Sequence, residues 1–160
     1  MLASTQNKII PLETAQVIIE AWKKDQQKIV FTNGCFDILH LGHIDYLEKA
    51  KAKGDKLVLG LNSDHSVQRL KGDSRPINKI KARSRMMAAL AFVDLVIIFE
   101  EDTPLTLIEH LMPDVLVKGG DYEIGNIVGA NIVLAKGGTV ETITFTEGYS
   151  TTKLINELKK

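Results

Sequence analysis

Apolar and polar positions alternate between two periods along almost the whole chain. In residues 11–24, Leu12, Ala15, Ile18, Ile19 and Trp22 share one helical face, and Pro11 suits a first helical position. Residues 28–32 form a short apolar run that predicts a strand, ended by Asn33-Gly34. A second helix is expected over 42–53, with Ile44, Leu47 and Ala50 inward and Gly54 as its stop. Residues 57–61 are apolar without interruption, the pattern of a strand covered on both faces. A polar stretch, 62–78, holds a short helix from about Asp64 and then a loop, Lys71-Gly72-Asp73-Ser74-Arg75-Pro76. Further helices are predicted over 79–92, 103–111, 128–135 and 150–159, and further strands over 94–99, 115–117 and 140–145.

That order predicts an α/β fold: a doubly wound, mainly parallel five-stranded sheet with helices on both faces. In such sheets ligands sit beyond the strand C-termini at the switch point, so the chemistry belongs in the segments that follow strands. The chain has 160 residues, which suits one domain over 1–160, with an N-terminal arm and helix over 1–27 and a core over 28–160.

Charge excludes some partners. Twenty basic and twenty acidic residues cancel, with no basic stripe of the kind that binds nucleic acid. No apolar stretch approaches the ~20 residues that cross a bilayer, and no leader pattern opens the chain, so a cytoplasmic protein is expected. The single cysteine, Cys35, rules out an internal disulfide and a cysteine-based zinc site.

The segment with most chemistry runs from Phe31 to His43, from a strand into a helix. Gly34 permits close backbone approach to a bound group. His40 and His43 lie three apart at the helix start, so both rings can face one side, and Gly42 leaves room there for an incoming phosphate. Free N–H groups and the helix dipole favour an anion at that place. Two imidazoles could donate to phosphate oxygens whose charge grows in a transition state. No acidic or cysteine ligand nearby completes a metal set, so no protein metal site is expected. Cys35 reads as a small buried apolar residue, and Asp37 as a turn or cap residue. His65 and His110 read as structural.

The Gly34–His43 segment resembles the H-x-G-H signature of the cytidylyltransferase-like nucleotidyltransferase superfamily. Four more segments, 71–78, 101–104, 117–122 and 147–152, resemble the adenylyltransferases of the bacterial ADP-heptose pathway. The similarity covers roughly residues 28–158 and implies a Rossmann-like nucleotidyltransferase fold. It implies transfer of AMP from ATP to D-glycero-β-D-manno-heptose 1-phosphate, giving ADP-heptose for lipopolysaccharide and related glycans. It also implies Mg²⁺ with the ATP, a stand-alone form partnered by a separate sugar kinase, and a homodimer as in relatives.

Carried over by resemblance, His40, His43 and Lys71 are the catalytic residues, with Lys71 on a mobile loop. Asn33, Gly34, Cys35, Phe36, Gly42, Arg83, Ser150, Thr151 and Thr152 would bind nucleotide; Arg75 and Arg85 are neighbours of Arg83 in that reading. Asp37, Lys118, Asp121 and Tyr122 would bind the acceptor, with Asp121 equally read as a turn cap and Ser150–Thr152 also as helix caps. A CTP-dependent enzyme acting on glycerol 3-phosphate or a similar alcohol phosphate is the alternative within the superfamily. Segments 71–78 and 118–122 argue against it. A class I aminoacyl-tRNA synthetase fragment would need a lysine-rich second signature that is missing. A non-catalytic nucleotide-binding module would be expected to lose one of His40, His43 and Lys71.

Overall fold

The computed structural model describes residues 4–120 and 122–158. Five strands, β1 (Ile29–Gly34), β2 (Lys56–Asn62), β3 (Leu95–Phe99), β4 (Val115–Gly119) and β5 (Thr139–Ile143), form one sheet in the order β3-β2-β1-β4-β5. Every pairing is parallel, where the sequence predicts a mainly parallel sheet. Among the described residues seven α-helices connect and flank the strands: α1 (Leu12–Lys24), α2 (Leu41–Lys51), α3 (Asp64–Lys71), α4 (Ile80–Ala89), α5 (Leu105–Leu111), α6 (Ala130–Ala135) and α7 (Thr151–Leu158). No helix among the described residues is long and apolar enough to cross a membrane.

Covering both sheet faces explains the uninterrupted apolar strands. Ile29 and Phe31 of β1 face a layer built with Ala15 and Ile19 of α1 and Leu107 and Ile108 of α5. Val30, one residue along, faces the opposite layer with Leu47 of α2 and Met87 of α4. The N-terminal arm joins this core, because Ile9 bridges to Val96 on the outer side of β3.

Several boundaries differ from expectation, each for a local reason. Strand β1 continues through Asn33 and Gly34, which lie in register with Gly60 and Leu61 of β2. Helix α4 stops at Ala89 instead of reaching residue 92. There Lys8 Nζ, on the arm, donates to the Leu90 and Val93 carbonyls and fixes a turn into β3. Lys71 is the last residue of α3 and not part of a loop. Strand β5 ends at Ile143, which frees Phe145 to turn over Gly119.

Candidate active site

The sheet order supplies the cleft. The chain steps outward from β1 to β2 and β3, then returns across β1 to β4, so the loops after β1 and β4 leave in opposite directions. Between them lies a cleft of about 610 Å³ lined by Asn33–Asp37, His43, Lys71, Lys118 and Thr151, among others.

Two backbone features aim the β1 exit. Phe36 adopts φ 43, a left-handed conformation uncommon for a bulky residue, and this turns Asp37 inward. The Phe36 ring lies over Gly34, where a Cβ would come within 2.6 Å of Phe36 Cε2, and it meets His43 edge-on at 5.2 Å. Gly34→Ala should therefore displace Phe36 and, through it, His43. Steady-state kinetics should show turnover reduced on the order of tenfold or more, since misplacement of about 1 Å costs up to ~10²-fold, while the melting temperature changes little.

His40 is the residue preceding α2, in extended conformation, and its side chain does not cap the helix. The ring instead stacks on His43, with centroids 3.8 Å apart and planes at 17°. Gly42 makes this possible: a Cβ there would lie 3.1 Å from His40 Nδ1 and 3.2 Å from Tyr149 Cβ. The glycine seats His40 against the segment entering α7, where the sequence suggested space for phosphate.

Both imidazoles sit in surroundings that disfavour charge. Burial lowers the His40 pKa. For His43, burial first and His40 second lower it to about 4, with the Ile38 backbone pulling the other way. His43 is therefore neutral near pH 7 and offers a donor without carrying charge of its own. The native state refuses a proton that the unfolded chain accepts between pH 6.5 and about 4. Stability from this residue is full above pH 6.5 and is lost as pH falls toward 4, on the order of 2 kcal/mol after allowance for partial exposure. Urea titrations of His43→Gln across that range should show a shallower loss than the parent.

Cationic side chains line the walls. Lys118 is largely buried, its Nζ reaching Asn33 Oδ1 at 3.4 Å; burial lowers its pKa, and nearby Lys71 adds to this. Lys71 lines the same cleft from the C-terminal end of α3. Burial pushes the Cys35 thiol up, so it stays protonated at neutral pH and is no nucleophile.

Three residues expected to touch ligand are held by the protein. Arg83 is completely buried and does not line the cleft; its guanidinium donates to the Asn78, Cys35 and Asn62 carbonyls and to Asp64. Asp37 is nearly as buried, and its carboxylate accepts from Arg75 Nε and from the Ile77 and Asn78 backbone. Those bonds make it an anchor for the 75–78 loop, where the sequence suggested an acceptor contact. Ser150 Oγ accepts from Lys153 N and caps α7. Thr151 and Thr152 do line the cleft, and Thr151 Oγ1 donates to the Ile38 carbonyl. Tyr122 lines it half-exposed, and Asp121 lies outside the described residues. Arg75, named from sequence only as a neighbour of Arg83, joins the lining, as do Asp102, Asn126 and Phe145, which were not singled out as ligands. Only the resemblance in segments 71–78 and 101–104 pointed near two of them.

A parallel sheet with its cleft at the switch point, lined by one of two stacked histidines at a helix start, suits nucleotidyl transfer. The chain belongs to the cytidylyltransferase-like family, whose model matches residues 31–157. It is 56% identical over 151 residues to the bifunctional protein HldE of Geobacter metallireducens, covering 94% of this chain and 31% of that protein. Against the bifunctional protein HldE of Helicobacter pylori, identity is 53% over 160 residues, covering 100% of this chain and 33% of that protein. The chain thus spans about a third of the length of these curated relatives. Among solved structures, the lipopolysaccharide core biosynthesis protein from Thermoplasma volcanium aligns with TM-score 0.59 and 30% identity, over 78% of this chain and 99% of that one. Pantoate-beta-alanine ligase from Francisella tularensis aligns with TM-score 0.59 at 17% identity, over 94% of this chain and 76% of that one, a likeness of fold alone.

Proposed function

We propose that this domain transfers AMP from ATP to D-glycero-β-D-manno-heptose 1-phosphate, releasing pyrophosphate and giving ADP-heptose. The observation that carries the reading is the stacked His40–His43 pair at the start of α2, with His43 lining the cleft that Lys71 and Lys118 also line. Neutral donors beside two ammonium groups suit a reaction whose charge grows on phosphate oxygens. The choice of ATP and heptose rests on the sequence resemblance, and identity to the HldE proteins supports it.

In this mechanism an acceptor phosphate oxygen, already ionised at neutral pH, attacks the α-phosphorus in line, and pyrophosphate departs opposite. His40 and His43 stabilise the reacting phosphate, while Lys71 and Lys118 offset charge on the entering and leaving groups. Asn33–Phe36 supply backbone contacts, and Thr152 presents its hydroxyl, and Thr151 its backbone N–H, to the triphosphate. A general base is not required.

Magnesium fits as a cation carried by the triphosphate. Among the described residues no group of three or more His, Cys, Asp or Glu is arranged to hold a metal, so its ligands would be phosphate oxygens and water, with Asp102 at the cleft wall. Bound there, it would neutralise charge on the triphosphate. The acceptor's phosphate must itself come from a sugar kinase reaction, and a cytoplasmic setting matches ATP and a sugar phosphate as substrates.

The test is pyrophosphate release with Mg²⁺ and either ATP or CTP, against heptose 1-phosphate and glycerol 3-phosphate. Release with ATP and the heptose alone is expected. Release with CTP and glycerol 3-phosphate would assign the domain to the other branch of the family, and silence in every combination would favour a binding module.

A further inference from the structure

Two arginines lie beside the β1 exit, Arg83 fully buried and Arg75 partly exposed, and they are held in opposite ways. Arg83 spends its guanidinium on three carbonyls and Asp64, so it has nothing left to offer a ligand. Arg75 is held by one atom. Its Nε donates to Asp37 Oδ2 at 2.6 Å, and the two side chains are 16% and 1% exposed. The carboxylate's other bonds go to the loop backbone: Oδ2 also accepts from Ile77 N at 2.9 Å, and Oδ1 accepts from Asn78 N at 2.8 Å. Asn78 Nδ2 donates to the Asp37 carbonyl at 2.6 Å and closes the loop on its anchor. Arg75 thus meets Asp37 through Nε alone and not as a two-pronged pair. Among the described residues its Nη1 and Nη2 groups make no hydrogen bond, and Arg75 lines the cleft that Lys71 and Lys118 also line.

The fork of this partly exposed guanidinium, unpaired within the protein, leaves its protons to water or to a ligand. The geometry of the fork matches two oxygens of one phosphate, which a lysine ammonium cannot reproduce. We propose that Arg75, oriented through Nε by Asp37, is a third phosphate-binding cation of the site, its Nη groups gripping two oxygens of a substrate phosphate. The phosphate is either the pyrophosphate end of ATP or the phosphate of the acceptor, and its identity rests on the adenylyl-transfer reading above. Asp37 then acts through Arg75 as a positioning residue: it aims the fork and holds the 75–78 loop without touching substrate.

The experiment is calorimetric binding of three probes, inorganic pyrophosphate, heptose 1-phosphate and adenosine, to the full chain and to Arg75→Gln and Arg75→Lys. The expected result is a loss on the order of tenfold in affinity for one or both phosphates, with adenosine unchanged within about twofold. Loss confined to pyrophosphate puts Arg75 on the leaving group, and loss confined to the sugar phosphate puts it on the acceptor. Arg75→Lys should remain impaired, because it keeps the charge and loses the fork; it also serves if Arg75→Gln does not fold. Unchanged phosphate affinity, or a parallel fall for adenosine, overturns the proposal. Should the parent protein bind pyrophosphate but not heptose 1-phosphate, the heptose reading falls while the pyrophosphate comparison still judges Arg75.

Discussion

His43→Asn is expected to lower kcat by about 10²–10³-fold, with a much smaller change in the affinity for ATP. His43 is the member of the stacked pair that lines the cleft, and burial keeps its ring neutral near pH 7. A neutral donor gains little from ground-state phosphate and more as charge develops on the equatorial and leaving oxygens. That difference sends the loss into turnover rather than binding. His40 stacks against it at 3.8 Å, so the two rings work as a unit. The double variant should therefore lose less than the product of the single losses. Stopped-flow turnover and equilibrium ATP binding on the three variants check this. Equal losses in binding and turnover would remove the pair from the transition state.

Arg83→Met should have the largest effect on stability. The substitution strips donors from the Asn78, Cys35 and Asn62 carbonyls and leaves Asp64 without its partner. Breaking a buried pair of this kind costs about 3–5 kcal/mol. For a domain of this size that lowers the melting temperature on the order of 10 °C. Calorimetric melting checks the value, and ATP binding at low temperature checks the assignment. A nucleotide ligand would show the reverse: lost ATP affinity with stability intact. Arg83 ties the β1 exit, the β2 end and the start of α3 into one piece, so its effect on the site is indirect.

The layered sheet was legible because both of its faces are covered. Residues 57–61 could be continuously apolar only in a doubly buried strand, and their neighbours in α2 and α4 showed the matching helical stripe. His40 and His43 were legible for a local reason: three residues apart at a helix start, they must share a side. The orientation of long side chains was not legible. Arg83 and Arg75 look alike in sequence, and only their partners distinguish a saturated clasp from an open fork. Those partners lie far off in the chain; Asp37 is 38 residues from Arg75 and Cys35 is 48 from Arg83. The close packing at Gly42 was not legible for a similar reason. Its neighbour Tyr149 comes from the other end of the chain, which no local pattern reveals. Lys71 reads as a loop residue because Gly72 follows it, yet α3 runs up to that glycine, whose φ of 94 turns the chain away.

The central claim is direct transfer of the α-phosphate with its nucleoside to a sugar phosphate. Parallel reactions with ATP labelled at the α- or the γ-phosphate, in the presence of heptose 1-phosphate and Mg²⁺, test it most directly. Label in the sugar product from the α-position, with γ-label recovered wholly as pyrophosphate, is the predicted result. Label in the sugar product from the γ-position, or α-label retained on the protein as a covalent intermediate, would contradict it.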